Sequence, residues 1–335
     1  MAALLGVVCW SECNFHRLIK KIMNNFALVF PGQGSQSVAM MKSFAEESVV
    51  KQTFERASQI LSQDLWQLIS EGPAEQLNAT VNTQPIMLTA GFAIYEAWLK
   101  AGGPKPQWLG GHSLGEYTAL VAAGVISFED ALPLVRFRAQ VMQEAVPVGT
   151  GAMAAILGLS DERVKEACHE ASAADPLQVV EAVNFNAPNQ VVIAGTRQAV
   201  EAAAAACKAK GAKRALMLPV SAPFHSSLLK PAAMRLADYM QNLHFHPPLV
   251  TIVNNVDASV VSDPEAIKQS LARQACNPVR WVELIRYMAA QGVTHVLECG
   301  PGKVLNGLTT RIEPHLKGFA LTDPASLHLA MEALK

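Results

Sequence analysis

The feature that most constrains this chain is the pentapeptide Gly111-His112-Ser113-Leu114-Gly115. It has the G-x-S-x-G form of a nucleophile elbow, the sharp strand-to-helix turn that holds a serine hydroxyl clear of the backbone. Glycines at 111 and 115 suit such a turn, which is strained and brings a neighbouring strand close. The pattern alone is weak, because Gly and Ser are common residues. Its flanks give it weight. Lys105 to Gly110 ends in an extended piece carrying Trp108 and Leu109, and Glu116 to Gly124 (EYTALVAAG) reads as a short helix of small residues. A Gly-rich turn with an N-capping serine is the plainer alternative.

At 335 residues the chain can bury a large core, arranged as two lobes on one scaffold or as two domains. Half of it is hydrophobic and 16% is charged, the balance of a globular protein and not of a disordered one. The formal net charge of -1 gives no support to nucleic-acid binding, which leaves a basic excess. The six cysteines (9, 13, 168, 207, 276 and 299) show no CxxC spacing, and the one cluster, Cys9, Cys13 and His16, lacks a fourth ligand. Reduced thiols of a cytoplasmic protein are expected, with no metal. No stretch reaches the roughly 18 apolar residues that span a bilayer. Ala2 to Trp10 resembles a signal h-region, but no basic residue precedes it and no A-x-A site follows. Residues 1–22 are read as a misassigned start or a dispensable leader, with a natural start at Met23.

Asn25 to Phe30 reads as a buried strand ending in the tight loop Pro31–Gln36. Helices are expected at roughly 37–47, 49–62 and 64–70, then over Thr83–Lys100 with Pro85 in the first turn, then from an N-capping Ser127 to Val146. Past Pro147 the order is strand (Ala152–Leu157), helix (Ser160–Ala173), strand (Val179–Asn184), strand (Gln190–Gly195), helix (Thr196–Lys210) and strand (Ala215–Leu218). That is β-α-β-β-α-β, the ferredoxin-like unit. Strands at 249–254 and 293–297 follow, with helices near 226–242, 263–274, 280–290 and 301–311. The expected fold is α/β. A large lobe over 23–147 and 219–335 carries the elbow at a strand's carboxyl end, and a small lobe over 148–218 is inserted.

A serine hydroxyl needs a base, and an oxyanion needs preorganised donors. The order of hydrolase triads points downstream for the base. His225 is the best placed, in the constrained segment Pro219–Ser227 that opens a helix, whereas His112 should point away from its neighbour's hydroxyl. No Asp or Glu stands out as a third member, so a Ser-His dyad oriented by a carbonyl stays open. The Pro31–Gln36 loop lacks the third Gly of a dinucleotide fingerprint and the G-K-[ST] of a P-loop. It suits a backbone donor instead, with the amides of Gln33 and Leu114 forming an oxyanion hole. Arg136 and Arg138 fall on different helix faces, so at most one faces the site, and a solvated or ion-paired arginine is the favoured reading.

Motifs along the chain make these pieces specific: FPGQGSQ at 30–36, TQPI at 83–86, GHSLGEYTALVAAG at 111–124, VRFRAQVMQEAVP at 135–147, GTGAMAAILG at 149–158, VNFNAPNQVVIAG at 183–195, PFHS at 223–226, RQACNPVRW at 273–281 and ECGPGKVL at 298–305. From about Met23 to the C-terminus the chain resembles the malonyl-CoA:acyl-carrier-protein transacylases of type II fatty-acid synthesis. The resemblance implies a hydrolase-like large subdomain and a ferredoxin-like small one with the site between them. It implies Ser113 as acylated nucleophile, His225 as base, and the Gln33 and Leu114 amides as oxyanion hole. Arg138 would bind the malonyl carboxylate, reversing the reading favoured above. Gln274 would orient the histidine through its main-chain carbonyl, and Asn184 or Asn186 would line the cleft. Phe224 resembles the malonyl-type signature. Malonyl-CoA and an acidic, transiently bound acyl carrier protein are the implied substrates of a ping-pong transfer, with no cofactor. A monomer is expected. Lys208, Lys210, Lys213 and Arg214 form the densest basic cluster and a candidate docking patch for the carrier. A thioesterase, a partner-binding protein with a relic elbow, and a polyketide loading acyltransferase are the rival readings.

Overall fold

The computed structural model describes residues 25–335 except 148, 174, 176 and 221. The leader, the start at Met23 and the Cys9, Cys13 and His16 cluster lie outside the described residues. In chain order the strands are β1 (Phe26–Phe30), β2 (Trp108–Gly111), β3 (Gly151–Leu157), β4 (Val180–Ala187), β5 (Gln190–Thr196), β6 (Arg214–Met217), β7 (Thr251–Ile252), β8 (His295–Glu298) and β9 (Lys317–Ala320). The helices are α1 (Ser48–Leu61), α2 (Leu65–Glu71), α3 (Ala74–Asn78), α4 (Thr80–Lys100), α5 (Leu114–Ala122), α6 (Phe128–Glu144), α7 (Asp161–Ala173), α8 (Arg197–Ala209), α9 (Lys230–Gln241), α10 (Pro264–Ala275), α11 (Trp281–Ala290), α12 (Val304–Ile312) and α13 (Pro324–Ala333).

Two sheets result. The large one runs β7-β2-β1-β8-β9 with every pair parallel. A parallel sheet is covered on both faces, and β1 shows how. All five of its residues are fully buried, but Phe26, Leu28 and Phe30 enter one apolar cluster while Ala27 and Val29 enter another. That is the two-residue alternation of a strand carried through a uniformly apolar sequence. The small sheet runs β4-β5-β3-β6, all antiparallel, with α7 and α8 packed against it. Ala152, Ala154 and Ile156 of β3 face those helices in a core of their own, whereas Met153 faces the core of the large lobe. The fold is therefore α/β with a hydrolase-like parallel sheet and a ferredoxin-like antiparallel one. β4 carries register shifts between Ala182 and Asn184 and between Phe185 and Ala187. There, still paired with β5, its other edge bridges the large lobe, Phe185 N–H donating to Val279 O (3.0 Å) and Val279 N–H to Val183 O (2.8 Å). Such a bulge re-aims the side chains beside it.

Several sequence expectations shift. The helix expected at 37–47 is turns and one 3₁₀ turn, Lys42–Phe44. Ala39 adopts φ 63° and donates its N–H to Ile69 O, so a tertiary bond replaces the helical one. The long helix begins at Thr80, placing Pro85 inside it and past the first turn. Helix α3, strand β9 and helix α13 were not expected from the sequence; α13 had announced itself with Pro324 at its start and an Asp323–Ser326 capping box. Ser127 does cap α6, accepting from Asp130 N–H (3.0 Å).

Candidate active site

Ser113 stands between β2 and α5 with φ 53° and ψ -107°. For a non-glycine residue this conformation costs about 1–3 kcal/mol, held by its surroundings. The two glycines of the motif make it attainable. A Cβ on Gly111 would lie 1.9 Å from the Gly115 carbonyl carbon, and one on Gly115 would lie 2.0 Å from Phe30 O. Asn255 braces the turn from β7's exit loop: its Oδ1 accepts from Ser113 N–H (2.7 Å) and its Nδ2 donates to Gly111 O (2.7 Å).

His225 also has a positive φ, 67°, in the loop before α9. Its Nε2 lies 2.7 Å from Ser113 Oγ, and its Nδ1 lies 2.8 Å from the main-chain oxygen of Gln274. A carbonyl can only accept, so Nδ1 carries the proton and the bare Nε2 faces the hydroxyl. Burial, and then the charge of Arg138, holds the imidazole down at about 3, which keeps it neutral and able to accept a proton.

Arg138, from α6, is 1% exposed. One nitrogen donates to Gln84 Oε1 (2.8 Å); the other donates to Gln274 Oε1 (2.9 Å) and to Ser113 Oγ (3.1 Å). Its guanidinium also lies 5.2 Å from the ring centre of Tyr117. Among the described residues no carboxylate comes within ion-pairing distance of it. A buried charge normally has such a partner. Arg136 instead reaches Leu61 O (3.2 Å) and Gln63 on the far side of α6, so one arginine of the pair faces the site.

Gln33, Leu114, Asn184 and Phe224 line the same cleft as Ser113 and His225, a space of about 450 Å³. Leu114 is the first residue of α5, where backbone N–H groups have no partner within the helix. Asn186 does not line that cleft; its Oδ1 meets His112 Nε2 (2.8 Å). A wider cleft of about 860 Å³, lined by Lys165, Phe185, Arg280 and Arg286 among others, holds none of the expected catalytic residues. In the basic cluster, Lys210 is paired with Glu170 (2.9 Å), while Lys208, Lys213 and Arg214 are exposed. Among the described residues no helix is long and apolar enough to cross a membrane, and no group of His, Cys, Asp and Glu side chains could hold a metal ion.

Three residues of the site were not singled out from the sequence. Gln84 lies in the TQPI motif, a buried amide on a helix whose buried residues are mostly apolar, and that contrast was the available signal. Asn255 lies just beyond the segment expected as a strand at 249–254, of which Thr251–Ile252 is one, and nothing local sets it apart. Glu116 sits in the elbow helix among small apolar residues, where a carboxylate is out of place; it is 2% exposed.

Against known proteins, the acyl transferase domain profile matches residues 27–311. The chain is 54% identical to the malonyl CoA-acyl carrier protein transacylase of Escherichia coli, over 92% of this chain and all of that one. It is 44% identical to the Bacillus subtilis protein of the same description, over 93% and 98%. Among solved structures, an acyl-carrier-protein S-malonyltransferase from Burkholderia pseudomallei superposes with a TM-score of 0.90 at 62% identity, covering 92% of this chain and 99% of that one. A malonyl-transacylase in complex with a type II polyketide acyl-carrier protein superposes with a TM-score of 0.90 at 51% identity, over 92% and 99%.

Proposed function

Because this chain belongs to the acyl transferase family, among its malonyl-CoA–acyl carrier protein transacylases, we propose that it moves malonyl from coenzyme A to the thiol of a carrier protein through an ester on Ser113. Ser113 Oγ attacks the thioester carbonyl while His225 Nε2 takes its proton. The tetrahedral oxyanion lies against the amides of Gln33 and Leu114. As the C–S bond breaks, the imidazolium returns the proton to the departing thiol, leaving malonyl-serine. The carrier's phosphopantetheine thiol then attacks that ester, and the same groups act in reverse. Gln274 O keeps the imidazole turned toward the serine throughout and stabilises the imidazolium when it forms.

The observation that carries this reading is Arg138, a buried guanidinium whose hydrogen-bond partners among the described residues are neutral, 3.1 Å from Ser113 Oγ. A malonyl group on Ser113 ends in a carboxylate of the right charge and reach to complete it, whereas an acetyl group has none. Transfer requires no cofactor, since donor and carrier are both substrates. The relative solved with a polyketide carrier supports such a carrier beside a fatty-acid one as acceptor, because both present the same thiol.

Replacing Arg138 by Ala tests the reading. Malonyl transfer should fall about 30- to 1000-fold more than acetyl transfer, the scale of a lost charge-assisted pair of about 2–4 kcal/mol. Equal losses for the two acyl groups would refute the assignment.

A further inference from the structure

Among the described residues Arg138 has no touching counter-charge, yet one stands a single amide away. Gln274, fully buried, bridges the two: its Oε1 accepts from Arg138 (2.9 Å) and its Nε2 donates to Glu116 Oε2 (2.8 Å) and to Ser113 O (2.9 Å). The same Glu116 oxygen accepts from Asn255 N–H (3.0 Å). Negative carboxylate, amide dipole and positive guanidinium thus lie in series, each bond polarising the next. The carboxylate makes no direct bond to Arg138 among the described residues; the nitrogen that donates to Gln274 Oε1 also donates to Ser113 Oγ.

We infer that Glu116 is the remote counter-charge of Arg138, a positioning residue that balances the buried guanidinium without filling its acyl-facing side, and that it thereby limits how tightly an acyl carboxylate is held. The inference rests on Arg138 being the malonyl-binding group. A directly paired Arg138 would have to surrender a carboxylate before taking the substrate's. An unbalanced one would bind any small anion. Glu116 at one amide's remove avoids both. Burial pushes its carboxyl up to about 7, against its bonds from Gln274 and Asn255 and the charge of Arg138. Asp257, the other carboxylate acting on it, is itself paired with Arg273.

The test is Glu116→Gln, assayed at about pH 8.5, where the wild-type carboxyl is ionised. The amide oxygen of the variant can still accept from Asn255 and Gln274, so shape and hydrogen bonds persist and only the charge is lost. Free malonate, used as competitive inhibitor, should bind the variant about three- to tenfold more tightly, and the KM for malonyl-CoA should fall in parallel. The KM for acetyl-CoA should stay within about twofold. In an Arg138→Ala background the same substitution should leave malonate inhibition unmoved. Glu116→Met, equally neutral, replaces it if the amide variant does not fold. Unchanged or weakened malonate inhibition in Glu116→Gln overturns the inference. If Arg138→Ala alone fails to separate malonyl from acetyl, it is the underlying substrate reading that falls.

Discussion

The two lobes handle polar groups in opposite ways. In the small lobe, α7, α8 and one face of the antiparallel sheet enclose a core of Ala, Val, Ile, Leu and Cys side chains, with its ion pairs toward the surface. In the large lobe the carboxyl end of the parallel sheet buries Glu116, Arg138, His225 and Gln274 together and holds both Ser113 and His225 at positive φ. One lobe follows the ordinary rules of packing. The other also buries Glu298 and holds Ala39, Ser62 and Ala258 at positive φ, but it gathers buried charge and strain most densely at the site. Local strain and buried charge therefore mark where stability is given up for chemistry.

The comparison breaks most sharply at Ser113. Ser113→Ala should lower acyl transfer by about ten-thousand-fold or more, on the scale of lost nucleophiles in related chemistry, with little change in unfolding temperature. A variant that loses folding and activity together would contradict the separation. Ile193→Ala is the converse. The residue is fully buried in the small-lobe core, so the cavity should cost about 2–5 kcal/mol of stability by denaturant titration. At a temperature where the variant is folded, kcat/KM should stay within about threefold of wild type. A tenfold loss would mean that the small lobe shapes the chemistry as well as walling the cleft.

The same contrast decided what could be read in advance. Every strand and helix of the small lobe falls within a few residues of its expected place, because β3 and β5 are apolar runs bounded by turns and the two helices have apolar stripes. The elbow was legible for a different reason: only Gly fits at 111 and 115, so the turn is written in the residue types. What was not legible depends on chain segments far apart in sequence. Glu116 meets Asn255 and Gln274, and Arg138 meets Gln84 and Gln274. No local period reports such partners. From helical spacing alone, Arg138 reads as one more solvated or ion-paired arginine. The end of the large sheet was missed because β9, Lys317–Ala320, is a short edge strand with no alternation to announce it.

Smaller effects sharpen the same contrast. Burial first, and then the charge of Arg138, keeps His225 at about 3, so acylation measured in single turnovers should show no acid limb near the ordinary imidazole value of about 6.5. Removing the Arg138 charge takes away the second cause and should move the acid limb upward. A limb near 6.5 in the wild type would contradict the buried, neutral base. Least of all should follow from Lys210→Ala, which breaks an exposed pair with Glu170 on the small lobe and should change stability by less than about 1 kcal/mol in thermal unfolding.

The central claim is met most directly by the intact mass of the protein after mixing with malonyl-CoA. The wild type should gain one malonyl group, located on the peptide containing Ser113, and lose it when a carrier bearing the phosphopantetheine thiol is added, the carrier gaining the same mass. No labelling at Ser113, or a label that water removes faster than the carrier does, would contradict the account.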